Sequence, residues 1–456
     1  MPAIHTTGLL PEEMGGIRAS QEDGVNRRLI AAIGTTAMLV SVAACSSSST
    51  KATSGGSSTK ASSNAGKTLT VWLMTGDNPT DWVASVKADY AKAYPGVKVN
   101  IVVQQWDGIT QKITTALSES TPPDVIDIGN TQTPFYAASG GLMDISSVKS
   151  AVGGADWLPA MNNSTIYQGK QYAAPWYAGG RAVMYNKKLW AKAGLTSTPT
   201  TMTEYIADLT KLKKTAGVSS ALYLAGQNWY AFDGFLQDAG ATIATQSGST
   251  WTGTLNSPAA LKAADLFKQL QAFGTAPKDQ DESHPAQADV FAKGNVATMI
   301  AMGYEEATVT KDTPSLASDI GWFAIPGPTA AAPAKTFMGG SNLAISQNSK
   351  NKDLAEGFLK VALNDTNETL FAKDSGFLPN KASLDSALSG NAYATAYGPA
   401  AAVAGYTPLV PTWANVETAP NPITTLFLTP ILQGKSPAAS AAKADTELAK
   451  RLNAAQ

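Results

Sequence analysis

The sequence predicts an α/β protein in which a chain of 456 residues forms two lobes. Two observations carry this prediction. Strand-like and helix-like segments alternate from residue 68 onward, which indicates a largely parallel sheet covered by helices. The chain is also longer than a single hydrophobic core of ordinary size requires, so we expect two folded units.

The first five elements are predicted from their periodicity. Trp82, Val86 and Tyr90 recur at helical spacing, and Pro95 with Gly96 ends that helix. The prediction is a strand at 68–73, a helix at 81–94, a strand at 97–103, a helix at 109–117 and a strand at 125–128. Ligands of open α/β sheets bind beyond the carboxyl ends of the strands, so the loops 75–77, 104–107 and 129–132 are candidate site loops.

Composition excludes several kinds of function. Lys and Arg number 34 against 35 Asp and Glu, a net charge of -1, so no overall field attracts nucleic acid. The single cysteine excludes an intrachain disulfide, and the two histidines, His5 and His284, exclude a multi-histidine metal site. A Ser/His/Asp triad would depend on His284, because His5 precedes the predicted export segment. No cofactor and no metal are predicted.

The N-terminal region predicts export and lipidation. Arg27 and Arg28 precede an apolar run at 29–44, which is shorter than the roughly 20 residues that a membrane-spanning helix requires. The run ends in Val-Ala-Ala-Cys45 before a serine tract, and this ending resembles the bacterial lipobox. Residues 1–44 are therefore predicted to be a signal peptide, with Cys45 as the lipidated first mature residue on the outer face of the cell membrane.

Two further expectations concern the same region. Acidic residues upstream of Val25 are atypical of a signal peptide, which favours Val25 as the true translation start. Residues 45–66 hold the lipidated cysteine and then Ser, Thr, Gly, Lys and Ala without apolar periodicity. We expect a flexible tether that reaches on the order of 25 Å.

Three motifs, taken in order, resemble the extracellular solute-binding proteins of ABC importers that take up sugars. The motifs are Ala-Val-Met-Tyr-Asn-Lys-Lys-Leu at 182–189, Gly-Gly-Ser-Asn-Leu-Ala-Ile-Ser at 339–346 and Gly-Phe-Leu-Pro at 376–379. The resemblance runs from about Leu69 to the C-terminus. It implies a periplasmic-binding-protein-like fold, with two discontinuous α/β lobes around a central ligand cleft.

The resemblance also implies boundaries for the lobes. The N-lobe comprises residues 67–178 and 340–388, and the C-lobe comprises residues 179–339 and 389–456. The chain is expected to cross between the lobes near 176–181, 337–342 and 383–389.

This sequence departs from the family pattern at Pro175-Trp176-Tyr177, where small or aliphatic residues are usual, and at Trp190. We interpret Trp176 and Tyr177 as a stacking surface in the cleft, with packing at the hinge as the alternative. Trp190 is predicted to belong to a core.

A sugar site needs aromatic planes for the apolar ring faces and polar groups for the hydroxyl rim. Loops that combine the two kinds of side chain are the basis of the predicted site. The alternative for each tryptophan is burial in a core, and for Glu305 a solvated helix start. The candidate ligand-binding residues are Asp77, Trp106, Asn130, Trp176, Tyr177, Arg181, Trp229, Tyr304, Glu305, Gly340, Asn342 and Trp413.

The predicted function is capture of an oligosaccharide outside the cytoplasm and its delivery to the membrane subunits of an ABC permease with a cytoplasmic ATPase. No catalytic residue is predicted, because the motifs follow the order of a binding-protein family and the sequence has no distinct catalytic signature. Asp124 and Asp127 flank a short strand and point in alternate directions, which disfavours a facing catalytic pair. The protein is expected to act as a monomer. An extracellular carbohydrate hydrolase, which needs two opposed carboxylates, and a sugar-sensing surface lipoprotein without transport remain the alternatives.

Overall fold

The computed structural model describes residues 64–331, 333–401 and 403–455. The predicted signal peptide, Cys45 and nearly all of the tether lie outside these residues. The described chain opens with β1 (Thr68–Met74), α1 (Thr80–Ala93), β2 (Lys98–Gln104), α2 (Ile109–Ser118) and β3 (Val125–Gly129). These five elements confirm the predicted order, and each bound lies within one residue of its prediction.

The remaining elements follow in chain order. The rest of the first third contains α3 (Thr133–Ala138), α4 (Pro159–Asn162), β4 (Ile166–Tyr167), β5 (Lys170–Gln171) and β6 (Ala173–Gly180). The middle of the chain contains β7 (Ala182–Asn186), α5 (Lys187–Lys192), α6 (Met202–Lys213), β8 (Ser220–Tyr223), α7 (Trp229–Asp238), β9 (Ala244–Ser247), β10 (Thr250–Gly253), α8 (Pro258–Gln271), α9 (Gln287–Phe291), β11 (Val296–Ala301), α10 (Gly303–Asp312) and β12 (Ile320–Phe323). The last third contains β13 (Met338–Ile345), α11 (Lys352–Ala362), α12 (Asp365–Ser375), β14 (Leu378–Pro379), α13 (Ala392–Ala401), α14 (Trp413–Glu417), α15 (Thr429–Leu432) and α16 (Pro437–Leu452).

The N-lobe is built on a six-stranded sheet in the order β14-β6-β13-β3-β1-β2. Strand β1 pairs in parallel with β2 and β3, whereas β13 runs antiparallel to both β3 and β6. The sheet is therefore mixed. The C-lobe is built on a four-stranded sheet in the order β12-β7-β11-β8, and each lobe has its own large hydrophobic core.

The chain passes between the two sheets close to the predicted crossings. Strand β6 belongs to the first sheet and β7 to the second, so the chain crosses between the lobes at a single connecting residue, Arg181. Residues 179–180 and 338–339, which the predicted boundaries place in the C-lobe, lie in β6 and β13 of the N-lobe sheet. Helix α13 contacts both lobes: Tyr393 and Tyr397 are buried in the N-lobe core, and the ring of Tyr393 lies 5.0 Å from that of Trp322 in β12.

Gly340 has a structural role in the pairing of β13 with β6. It has φ +150° and lies opposite Ala178, and a Cβ at this position would overlap the carbonyl oxygen of Tyr177 and lie 3.0 Å from the Cα of Ala178. Its carbonyl accepts a hydrogen bond from the backbone N–H of Asn130 at 2.9 Å. The close approach of two backbones explains the glycine at this position, and its role as a ligand contact stays a prediction.

We expect Gly340→Ala to lower the free energy of unfolding by about 2 kcal/mol, because alanine is strained at this φ and overlaps the neighbouring strand. Urea denaturation followed by circular dichroism measures the change. Gly398→Ala is the matched control, since a Cβ there meets nothing within 4 Å and lies in a helix. Equal unfolding midpoints for the Gly340 variant and the wild type would contradict the expectation.

Candidate functional site

The candidate site lies where the carboxyl ends of β1 and β3 face the second lobe. Tyr304, at the start of α10, packs against the loop after β1: a Cβ on Gly76 would lie 3.1 Å from Cγ of the Tyr304 ring. Glycine at this loop position lets the tyrosine of the other lobe approach. The two lobes therefore touch across the cleft in this structure.

Two buried carboxyl groups lie beneath the loop after β1. Asp77 and Asp127 are 2% and 0% exposed. The N–H of Met74 donates to Asp127 Oδ2 at 2.9 Å, and the hydroxyl of Ser341 donates to Asp77 Oδ2 at 3.4 Å. The hydroxyl of Tyr177 also contacts Asp77. These contacts place a polar cluster at the N-lobe side of the cleft.

The pKa values of both carboxyl groups are raised. Burial and the adjacent charge of Asp127 raise the pKa of Asp77 well above its ordinary value. Burial raises the pKa of Asp127 to about 6 although the N–H of Met74 donates to its carboxylate. Asp127 is not among the predicted site residues. Its partner, Asp77, lies in the loop after β1, far from Asp127 in sequence. An aspartate inside the otherwise apolar segment Val-Ile-Asp-Ile-Gly was the available signal.

Arg181 lies at the first crossing between the lobes and pairs with a carboxylate. Its guanidinium donates to Glu282, and the side chains of the pair are 10% and 22% exposed. The same guanidinium lies 4.9 Å from the centroid of the Tyr230 ring, a cation-π contact. Among the described residues, Arg181 Nε is buried and has no hydrogen-bond partner. Glu282 and Tyr230 were not among the predicted site residues.

An aromatic wall forms the C-lobe side of the site. Its members are Trp229, Tyr230 and Phe337: the ring centroids of Trp229 and Tyr230 lie 3.9 Å apart, and those of Tyr230 and Phe337 lie 5.0 Å apart. The ring of Trp413 lies 6.1 Å from that of Trp229. Trp229 opens α7, and the side chain of Asn228 caps this helix by accepting from the N–H of Ala231 at 3.0 Å. Tyr230 is partly buried, and its ring also forms the cation-π contact with Arg181.

Trp413 lies behind this wall and contacts a carboxylate. It is 0% exposed, and its Nε1 donates to Glu417 Oε1 at 2.9 Å. Glu417 Oε2 accepts from Thr131 Oγ1 at 3.0 Å and from Gln132 Nε2 at 3.2 Å. Glu417 was also missed from the sequence, although it follows Trp413 by one helical turn. Full burial places Trp413 in the support of the site instead of on its surface.

Glu305 is buried at the start of α10. It accepts from the N–H of Met302 at 2.8 Å and from Gln287 Nε2 at 2.8 Å, and burial raises its pKa to about 7. Both oxygens are thus used within the C-lobe. A solvated helix start does not describe this buried side chain, which fixes the start of the helix that carries Tyr304.

Two predicted site residues are buried within the N-lobe, and the side chain of a third forms a hydrogen bond there. Trp176 is 0% exposed in the N-lobe core, where its ring lies 4.9 Å from Trp82 and 4.5 Å from Phe371, so its prediction as a stacking surface is wrong. Asn342 is buried and donates to Thr133 Oγ1 at 2.8 Å and to Ser164 Oγ at 3.0 Å. The side chain of Asn130 is likewise used within its lobe, donating to the Met338 carbonyl at 3.2 Å.

Tyr177 and Trp106 are predicted site residues that contact the loop after β1. The ring of Tyr177 stacks on that of Phe377 with centroids 4.5 Å apart, and the hydroxyl of Tyr177 contacts Asp77. Trp106 is 37% exposed, and its Nε1 donates to the Thr75 carbonyl at 3.1 Å, so the indole is held over the loop after β1. Trp190 is buried in the C-lobe core, as predicted.

Two α/β lobes meet in this structure, and aromatic and polar side chains lie at their contact. Comparison with known proteins gives the class. The family model "Bacterial extracellular solute-binding protein" matches residues 76–369, and the chain belongs to this family.

Relatives agree with the family. The chain is 47% identical over 431 residues to the diacetylchitobiose binding protein DasA of Streptomyces coelicolor, an alignment that covers 94% of this chain and 99% of the relative. The fold resembles that of the GacH receptor of Streptomyces glaucescens, with a TM-score of 0.75, 23% identity, and coverage of 86% of this chain and 99% of the receptor. It also resembles the Thermus thermophilus maltotriose binding protein, with a TM-score of 0.69, 20% identity, and coverage of 84% and 99%.

The family and its relatives are binding proteins. In the part of the chain that the structure describes, no helix has both the length and the apolar character needed to cross a membrane.

Proposed function

We propose that this protein binds an N-acetylglucosamine oligosaccharide, with N,N'-diacetylchitobiose as its ligand, outside the cytoplasm and delivers it to an ABC permease. The observation that carries the proposal is the 47% identity to a diacetylchitobiose binding protein along nearly the whole of both chains. Energy for transport would come from the partner ATPase, and the binding protein would perform no chemical step.

The geometry of the cleft supports a sugar ligand. Tyr230 and Trp229 offer aromatic surface to the apolar faces of a pyranose ring. Arg181 Nε is a donor without a partner among the described residues, and the Asp77 carboxyl group on the N-lobe offers an acceptor oxygen. An acetamido group adds one N–H donor and one carbonyl acceptor to the sugar, and both kinds of partner are present.

We expect N,N'-diacetylchitobiose at about a hundred times its dissociation constant to stabilise the protein by about 2.7 kcal/mol, because it binds only the folded state. Differential scanning fluorimetry of the mature protein measures the stabilisation as a rise in melting temperature. Cellobiose is the matched control, since it has a hydroxyl in place of each acetamido group. A response to maltose or cellobiose equal to that for the acetylated dimer would contradict the proposed ligand.

Membrane attachment through Cys45 is part of the proposal. The support is the lipobox-like sequence at 42–45 and the following serine-rich tether. Replacement of Cys45 by serine should move the protein from the membrane fraction to the culture medium, as measured by immunoblotting of both fractions. Retention of the variant in the membrane fraction would contradict a lipid anchor.

A further inference from the structure

Glu417 forms a hydrogen-bonded bridge between the two lobes. It ends α14, whose residues Trp413 and Val416 are buried in the C-lobe core. Thr131 and Gln132, which donate to Glu417 Oε2 at 3.0 and 3.2 Å, directly follow β3 of the N-lobe sheet. The carboxylate is therefore fixed on one lobe, and two of its three donors come from the other.

The chemistry of the bridge depends on closure. All three donors are uncharged, and among the described residues no Lys, Arg or His nitrogen lies within 4.0 Å of the Glu417 carboxylate. A partly buried carboxylate without a cation loses hydration that only hydrogen bonds can offset. Since Thr131 and Gln132 belong to the N-lobe, separating the lobes would remove both of their hydrogen bonds.

The bridge also holds parts of the site on each lobe. On the C-lobe, Glu417 fixes the indole of Trp413, which packs behind Trp229 in the aromatic wall. On the N-lobe, Gln132 accepts a hydrogen bond from the hydroxyl of Tyr136 at 3.4 Å through Oε1 while its Nε2 donates to Glu417. The contact with Tyr136 thus orients the amide of Gln132 toward the Glu417 carboxylate.

We propose that Glu417 is a positioning residue that holds the lobes closed by accepting hydrogen bonds from Thr131 and Gln132, and that it thereby slows release of the ligand. The identity of the ligand as a sugar rests on the proposed function, whereas the hydrogen bonds of Glu417 with Thr131 and Gln132 do not depend on which ligand binds. The effect of Glu417 acts through Thr131, Gln132 and Trp413.

The test uses Glu417→Gln, Thr131→Val and the double variant in the full mature protein. Glu417→Gln keeps the size of the side chain, but its amide nitrogen cannot accept the donors that converge on the carboxylate. Stopped-flow fluorescence with N,N'-diacetylchitobiose gives the dissociation rate, and small-angle X-ray scattering gives the radius of gyration with and without sugar. Glu119→Gln, an exposed glutamate beyond α2, is the control variant.

We expect Glu417→Gln to raise the dissociation rate about tenfold and Thr131→Val about threefold, with the double variant close to Glu417→Gln alone. The radius of gyration of Glu417→Gln should exceed that of the wild type, while its melting temperature without sugar stays unchanged. A role confined to folding would lower the melting temperature and leave the compaction of the folded protein unaltered.

Two outcomes would overturn the bridge. One is a double variant whose dissociation rate rises by the product of the two single effects, because residues that are not coupled act independently. The other is a radius of gyration for Glu417→Gln equal to that of the wild type. If the wild type does not bind the acetylated dimer, the proposed ligand fails, and the comparison of radii without sugar still decides whether the bridge exists.

Discussion

Arg181→Ala is expected to weaken binding of the acetylated dimer about 100-fold, or ~2.8 kcal/mol. Arg181 has three roles that the substitution removes together: it neutralises Glu282, it lies over the ring of Tyr230, and its Nε is free to donate to a ligand. The half-buried Glu282 would remain without its cation at the crossing between the lobes. Isothermal titration calorimetry at pH 7 measures the affinity.

Two variants separate these roles from a general effect of charge. Arg181→Lys keeps the charge but loses the planar guanidinium, so we expect an intermediate affinity. Lys188→Ala removes another cation of the C-lobe that is paired with a carboxylate, Asp319, at 2.6 Å, and should leave affinity unchanged because its side chain is 73% exposed. Wild-type affinity in Arg181→Ala would remove Arg181 and the Tyr230 platform from the site.

The start of the fold could be predicted because its signals are local. Trp82, Val86 and Tyr90 repeat at helical spacing, and all three are buried on α1. The antiparallel insertion of β13 between β3 and β6 has no such signal, because it joins segments more than 150 residues apart in sequence. Hydrophobic periodicity identifies a strand but not the neighbour with which it pairs.

The site was predicted less completely, for a physical reason. Trp176 and Tyr177 lie in an eight-residue strand that is buried throughout, and both rings pack against Phe371 in the N-lobe core. Their aromatic character therefore does not indicate a stacking surface, and the hydroxyl of Tyr177 contacts Asp77. Glu282 and Glu417 act through partners distant in sequence, Arg181 and Thr131. Composition indicates which residue types a sugar site needs, but only the fold determines which members are brought together.

Thermal stability is expected to rise as the pH is lowered from 8 to 5.5. Burial raises the pKa of Asp127 to about 6 and the pKa values of Asp233 and Glu305 to about 7, and it raises the pKa of Asp77 and Glu368 well above their ordinary values. In the unfolded chain these groups titrate near pH 4.

The sign follows from proton binding. Between the unfolded and folded pKa values the native protein holds more protons than the unfolded chain, so stability falls as the pH rises through that window. Each pKa unit corresponds to about 1.4 kcal/mol, so several such groups together give on the order of 5 kcal/mol. For a protein of this size we expect the melting temperature at pH 5.5 to exceed that at pH 8 by about 5 °C, measured by differential scanning calorimetry.

Asp127→Asn tests the origin of the effect. Asparagine still accepts the hydrogen bond from the N–H of Met74 through Oδ1, but it removes the like charge beside Asp77, so the variant should be more stable than the wild type at pH 8. Its melting temperature should also depend less on pH. Asp89→Asn is the control, because Lys92 lowers the pKa of Asp89 and the group gives no stabilisation on acidification in this window. A melting temperature for Asp127→Asn that follows the wild type at every pH would show that the buried pair does not set the pH dependence.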